Sequence, residues 1–156
     1  MQAFAPWSIL PLPLSIHDES QQTLGQSMDN SVSGGVKFIL RIEGLCVLAF
    51  SLFAYAQFGI GWGMFALLFL APDLSFLGYL AGPKAGAALY NAAHSYIGSL
   101  LLLGAGIAFD APTMLALGII WAAHIGFDRA LGYGLKYSAG FRFTHLGAIG
   151  RSSDRT

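Results

Sequence analysis

The segment PTMLALGIIWAAHIGFDRAL (residues 112–131) decides the fold, because it is apolar over the length of a membrane span yet contains a histidine and an aspartate. A helix needs about 20 apolar residues to cross about 30 Å of hydrocarbon. With 3.6 residues per turn, Trp121, His124 and Asp128 lie on one face of that helix. An ionisable group at membrane depth costs about 3 kcal/mol or more and normally faces a bundle interior. The segment therefore predicts a membrane helix with its polar face turned toward other helices.

Three further apolar segments precede it, at residues 38–56, 60–80 and 85–109. Only short breaks separate the four segments, so consecutive helices are expected to run antiparallel. The composition agrees, since 55% of the residues are hydrophobic and 10% are charged, whereas soluble domains are about 25% charged. The strict alternation of a transmembrane β-barrel is absent from the sequence. We therefore predict an all-α integral membrane protein, an up-down four-helix bundle.

The lysines and arginines predict the orientation of this bundle. Lys37 and Arg41 lie at the start of the first segment, Lys84 lies between the second and third, and the other five lie at or after the end of the fourth. The positive-inside rule places this side, with both termini, in the cytoplasm. We therefore expect a multi-pass protein of the inner (plasma) membrane. The lipid bilayer is its expected partner, and no nucleic-acid partner is expected, because the net charge is zero and no base-reading motif is present.

Three parts of the chain differ in composition. Residues 1–36 combine prolines with a polar stretch and are predicted to be a disordered N-terminal extension, with Met28 as the hypothetical native start. Residues 37–132 form the four-helix transmembrane domain. Residues 133–156 are rich in glycine, aromatic and basic residues, which is typical of an interfacial or cytoplasmic segment. This segment either anchors at the membrane surface or folds back and brings His145 to the cytoplasmic mouth of the bundle.

Ionisable residues interrupt all four apolar segments at a similar depth. At 1.5 Å per residue they fall within about 13 Å of the inner surface, in the cytoplasmic half of the bundle. This convergence predicts one polar site rather than scattered polar residues. Tyr90 and Asn91 share a helix face with one of the histidines and are expected to be accessory to the site. The converging residues are Glu43, Asp73, His94, His124 and Asp128.

Pro72 directly precedes Asp73 in the second segment. Proline lacks a backbone N–H, so it frees a carbonyl that must find another partner in lipid. Two interpretations follow from this pair. Either the kink lines a polar pocket beside the carboxylate, or it is a plain kink with Asp73 paired to a neighbouring side chain.

The fourth segment has small residues on the face opposite its polar face. Such ladders allow two membrane helices to approach closely, so we expect this helix to be packed on both sides. Arg129 lies off the polar face, and its guanidinium is expected to reach the inner headgroups. The ladder consists of Gly118, Ala122, Gly126 and Ala130.

Several motifs along the chain resemble those of the bacterial membrane family known as domain of unknown function 4260. The resemblance covers about residues 40–151 and implies family membership and topology, because the family name carries no activity. The motifs are LRIEG (40–44), APDLSFLGYL (71–80), YNAAH (90–94), AHIGFDRALGYGLKY (123–137) and THLG (144–147).

The leading hypothesis for function is a metal-dependent membrane hydrolase with a lipid-type substrate. Histidine and carboxylate groups suit a divalent metal such as zinc, which lowers the pKa of its bound water toward about 7. Glu43 and Asp128 are the candidate catalytic residues, and Glu43 is either a general base or the partner of Arg41 or Lys84 in an ion pair near the interface. His145 is a further accessory candidate. The candidate ligands are Asp73, His94, His124 and Asp128.

Other functions are compatible with the same residues, so the sequence leaves open whether the protein is an enzyme. The polar groups can relay protons or bind a small solute, and four helices would then need to assemble as a homo-oligomer. They can also simply satisfy one another and hold the helices in register. Haem ligation by His94 and His124 is a further alternative, disfavoured by the adjacent carboxylates.

Overall fold

The computed structural model describes residues 32, 34–58, 61–138 and 141–148. The proposed start at Met28 and most of the predicted N-terminal extension lie outside the described residues. The described chain is helical apart from a short hairpin, in agreement with the all-α class. Its elements are α1 (Gly34–Ala56), α2 (Trp62–Phe69), a 3₁₀ helix (Ala71–Ala81), α3 (Pro83–Ala93), α4 (Tyr96–Ala108), α5 (Pro112–Leu131), β1 (Phe143–Thr144) and β2 (Gly147–Ala148).

Three helices are long and apolar enough to cross a membrane: Gly34–Ala56, Trp62–Ala81, in which α2 and the 3₁₀ helix follow one another, and Pro112–Leu131. Their outer faces expose large apolar side chains; Leu67 and Leu80, for example, are 77% and 87% exposed. Extensive apolar exposure of this kind is unusual for a soluble monomer and is compatible with contact with lipid. The fold therefore supports a membrane protein.

The second predicted helix, 60–80, changes type in its middle. α2 ends at Phe69 and a 3₁₀ helix begins at Ala71. Pro72 cannot donate a backbone hydrogen bond, and the chain tightens there, so that the N–H of Asp73 donates to the carbonyl of Leu70 at 3.1 Å. The sequence predicted a proline kink at this point, and the structure has a change of helix type.

In place of the single helix predicted over 85–109, the structure has two. α3 ends at Ala93, and Ser95 is extended (φ −95°, ψ 148°) before α4 begins. Two side chains of α5 bind the backbone at this break. The indole of Trp121 donates to the carbonyl of Ala93 at 2.6 Å, and Arg129 donates to the carbonyl of His94 at 2.9 Å. Because these bonds satisfy the freed carbonyls, the helix can stop inside an apolar environment.

Helix α5 lies at the centre of the packing, between α1 and α4. A Cβ on Gly126 would lie 2.8 Å from the carbonyl oxygen of Gly44 in α1, so only glycine allows this approach. On the polar face of α5, the ring of Trp121 lies against Gly98 of α4. The small-residue ladder predicted packing on both sides, and these contacts confirm it. The hydrophobic core beside it contains Tyr55, Phe65, Ala116, Ile119, Ile120 and Ala123.

The C-terminal segment folds back onto α3, which packs against the 3₁₀ helix. Asn91 of α3 accepts from the N–H of Lys136 at 2.6 Å and donates to its carbonyl at 2.8 Å. Lys136 also pairs with Thr144 of the β1–β2 hairpin. Of the two interpretations of this segment, these contacts favour folding back, and the residue that they hold against α3 is Lys136 rather than His145.

Candidate metal centre

Three chain segments bring one carboxylate and two imidazoles together. Asp73 lies in the first turn of the 3₁₀ helix, His94 ends α3, and His124 lies on α5. One ligand atom from each of the three lies within 4.8 Å of the others. Two of the three therefore stand at interruptions of helices, where irregular backbone at membrane depth commonly lines a site.

The separations between these atoms suit a single small cation. The two Nε2 atoms of His94 and His124 are 3.1 Å apart. Asp73 Oδ1 lies 3.5 Å from His94 Nε2 and 3.6 Å from His124 Nε2. Tetrahedral zinc with bonds of about 2.0–2.2 Å separates its ligand atoms by about 3.4 Å. The three side chains would therefore need only small shifts to bind one zinc ion.

The orientation of His94 is that of a metal ligand. Its Nδ1 lies 3.0 Å from the carbonyl oxygen of Tyr90, which can only accept, so Nδ1 carries the proton. The Nε2 lone pair is then directed toward the other two side chains. The Tyr90 ring stacks on the imidazole with 3.7 Å between centroids. His94 is fully buried, so its orientation is set by packing as well as by this bond.

The surroundings of the second histidine, His124, are less usual for a metal ligand. Its Nδ1 is buried and has no hydrogen-bond partner among the described residues. Its ring packs edge-to-face with that of Phe69, with 5.3 Å between the ring centroids. Nδ1 thus lacks the outer partner that metal-bound histidines usually have. The other ring nitrogen of His124, Nε2, is directed at His94 and Asp73.

Asp128 lies at the edge of this triad. The hydroxyl of Tyr90 donates to Asp128 Oδ2 at 3.1 Å, and the same oxygen is 3.5 Å from His94 Nε2. The carboxylate is largely buried. The structure therefore groups three of the four predicted ligands and places the fourth beside them. Tyr90, predicted to be accessory, orients that carboxylate.

Two cations near the site were not predicted there. Arg129 donates from Nη2 to the His94 carbonyl at 2.9 Å and from Nη1 to the Tyr133 carbonyl at 2.7 Å. Its guanidinium, expected from the sequence to reach the headgroups, binds these two backbone carbonyls. Lys136 is only 4% exposed, and its Nζ lies 4.0 Å from the Phe141 ring centroid and 5.0 Å from that of Tyr90. Burial lowers the pKa of Lys136 to about 8, against the opposing effect of Asp128.

Two other predicted residues lie elsewhere. Glu43 is exposed on α1 and lines a separate cleft of about 180 Å³ together with Tyr96, Arg129 and His145. His145 Nδ1 accepts from the N–H of Leu135 at 2.8 Å. Burial lowers the pKa of His145, and the charge of Arg129 lowers it further. The structure does not bring Glu43 or His145 into the triad.

An apolar groove runs beside the triad, between the 3₁₀ helix, α4 and α5. Its volume is about 370 Å³. Pro72 and Ala93 in its wall directly precede Asp73 and His94 in the chain. The Oγ of Ser75, also in the wall, is buried without a partner in the described part of the chain. The groove is lined by Leu68, Ala71, Pro72, Ser75, Ala93, Leu102, Leu117, Ile120 and Trp121.

These features define a helical protein with three membrane-capable helices and a cluster of two buried histidines with a partly exposed aspartate. The family model for domain of unknown function 4260 matches residues 37–149, and the chain belongs to this family. The resemblance identified from the motifs is thereby confirmed. No curated protein and no solved structure matches the chain.

Proposed function

We propose that the protein is a metal-dependent membrane hydrolase with a lipid-type substrate. Asp73, His94 and His124 bind a divalent cation such as zinc, and Asp128 is the general base. The observation that carries this proposal is the convergence of three ligand atoms at separations of 3.1, 3.5 and 3.6 Å. Three protein ligands are the number that catalytic zinc sites have, and an ion held by them would be able to activate a water molecule.

The proposed reaction is hydrolysis of an ester. Zinc held by Asp73, His94 and His124 would supply Lewis-acid activation of a water molecule, and Asp128 would accept the proton that this water loses. The water oxygen forms a bond to the electrophilic atom of the substrate, and the bond to the leaving oxygen breaks. Asp128 then returns the proton to the leaving group, so the protons and electrons balance without a further reactant.

A lipid-type substrate is supported by the apolar groove beside the triad. A groove of about 370 Å³ with an almost wholly apolar lining suits an acyl chain. We further propose that α3 and α4 together form a fourth, interrupted crossing of an up-down bundle in the inner membrane, with both termini in the cytoplasm. This arrangement is supported by the side on which Lys37, Lys84 and Lys136 fall.

Metal analysis of the purified protein tests the proposal. The full chain, extracted in a mild detergent without chelators, is expected to contain about one zinc or manganese per chain. The His124→Ala variant should lose the metal, because one of three ligands is removed. The matched control is His145→Ala, which removes an imidazole outside the triad and should retain the metal. Gently purified protein without metal, or equal metal in both variants, would exclude the proposal.

A proton relay is the second candidate, and the contact between His94 and His124 favours it. Their Nε2 atoms are 3.1 Å apart, which is hydrogen-bond distance, so a proton can pass from one imidazole to the other. In this case the metal-free protein in proteoliposomes should show pH-dependent uptake that Asp73→Asn abolishes. Uptake that Asp73→Asn leaves unchanged would exclude the relay.

A further inference from the structure

We propose that the group on which the site acts is a phosphate ester, bound between the cation at the triad and the ammonium of Lys136. The inference rests on the proposed function, because half of the recognition is assigned to the metal. It goes further by naming the chemical class of the reacting group.

Lys136 is unusual among the lysines of this chain because its side chain is buried. The side chain is 4% exposed, and Nζ lies over the rings of Tyr90 and Phe141. Within the described ranges, no carboxylate lies at ion-pair distance from Nζ. Burying an ammonium without a carboxylate partner is costly. Ring faces offset only part of that cost, whereas a phosphate oxygen would provide a charge-assisted hydrogen bond.

Lys136 and the triad are also linked through Tyr90. Nζ lies over the Tyr90 ring at 5.0 Å from its centroid. The same ring stacks on His94 at 3.7 Å, and its hydroxyl binds Asp128. The ammonium, His94 and Asp128 therefore all contact the same tyrosine side chain. The backbone of Lys136 is held by both polar atoms of Asn91, so its position is set before a ligand binds.

The charge of the site also favours a phosphate ester. Asp73 and Asp128 are balanced by Arg129 and Lys136, so a divalent cation adds two positive charges in surroundings of low dielectric constant. A phosphate monoester carries about two negative charges near neutral pH, whereas a carboxylic ester carries none. Arg129 already uses Nη1 and Nη2 for carbonyl groups. Lys136 is therefore the cation with donors left for a phosphate.

The reaction on such a substrate is balanced by water alone. The water oxygen forms a bond to phosphorus, and the ester bond between phosphorus and the alcohol oxygen breaks. Asp128 takes the proton from water and gives it to the alcohol oxygen, so the products are an alcohol and inorganic phosphate. The phosphate ester can come from a lipid or from a soluble molecule, and both sources carry the same reacting group.

Calorimetric titration of the zinc-loaded full chain with inorganic phosphate tests the inference. The wild type is expected to bind phosphate and not acetate. Lys136→Met and Lys136→Gln should each weaken phosphate binding by about tenfold or more, because a charge-assisted hydrogen bond is lost. Lys136→Arg should retain most of the affinity. The matched control is Lys84→Met, which makes the same change at an exposed lysine and should bind phosphate like the wild type.

A second measurement distinguishes the two sources. Zinc-loaded protein in nanodiscs that contain phosphatidic acid should release inorganic phosphate if the ester belongs to a lipid, and discs of phosphatidylcholine alone should release none. Release from glycerol phosphate in solution instead would assign a soluble source. Equal phosphate affinity in the wild type, Lys136→Met and Lys136→Gln would overturn the inference. Protein that binds zinc but not phosphate rejects the inference and leaves the hydrolase proposal standing, whereas protein that binds no zinc rejects both.

Discussion

The guanidinium of Arg129 donates a hydrogen bond to the backbone carbonyl of His94 at 2.9 Å. His94 stands where α3 stops, so Arg129 binds a carbonyl at the break in the helix. Asp128 directly precedes Arg129 in the chain and lies beside the triad. One turn of α5 therefore contributes both a candidate catalytic carboxylate and the cation that supports the backbone of a candidate ligand.

Replacing Arg129 with glutamine should destabilise the protein. A hydrogen bond from a charged donor contributes about 1.5–3 kcal/mol when it is buried, and the carbonyl of His94 would lose its partner. We expect a lower midpoint of thermal unfolding in detergent and weaker zinc binding. Arg41→Gln is the matched control, since Arg41 binds the carbonyl of Ala130 at an exposed position and should cost at most about 1 kcal/mol. Equal losses in the two variants would contradict this role of Arg129.

Replacing Tyr90 with phenylalanine should weaken metal binding without unfolding the protein. The ring that stacks on His94 remains, but the hydroxyl that orients Asp128 is lost. Removal of an outer-shell partner typically costs about 10–100-fold in metal affinity or activity. Competition with a chelator measures the zinc affinity. Tyr133→Phe removes an exposed hydroxyl and is expected to bind zinc like the wild type; an unchanged affinity in Tyr90→Phe would mean that Asp128 does not depend on this bond.

Mild acid should loosen the C-terminal segment through His145. The folded protein lowers the pKa of His145 below 6.5, so the unfolded chain binds more protons as the pH falls. The contribution of His145 to stability is therefore present above about pH 6.5 and decreases below it. Protonation also removes the lone pair that accepts from Leu135. Between pH 7.5 and about 5, the midpoint temperature of thermal unfolding should fall more steeply for the wild type than for His145→Gln. Parallel curves for the two proteins would rule out this role of His145.

Adding a methyl group at Gly126 should separate α1 from α5. The new Cβ would lie 2.8 Å from the carbonyl oxygen of Gly44 and 2.8 Å from the backbone nitrogen of Leu48. Backbone atoms cannot move aside as a flexible side chain can, so Gly126→Ala should cost about 1–3 kcal/mol. Gly104→Ala is the control, because nothing lies within 4 Å of its Cβ position. It should gain up to about 1 kcal/mol from helix propensity, and the two melting temperatures should shift in opposite directions.

Much of the fold and part of the candidate site follow from local features of the sequence. Helical phase placed His124 and Asp128 on one face of α5, and similar depth placed His94 and Asp73 near them. The break after His94 was not predicted, because the groups that bind its free carbonyls, Trp121 and Arg129, are 28 and 35 positions away from the residues that they bind. Lys136 was missed for the same reason, since Asn91 holds it from 45 positions away.

The sequence by itself determined that the chain is helical and apolar enough for a membrane, and which ionisable residues interrupt its spans. Hydrophobicity and helical periodicity are properties of neighbouring residues, so they can be read without knowing which helices touch. Only the tertiary structure decided that Asp73, His94 and His124 meet while Glu43 faces a different cleft. It also decided that Arg129 and Lys136 lie beside the cluster, because the carbonyl and the aromatic rings that bind these cations come from distant parts of the chain.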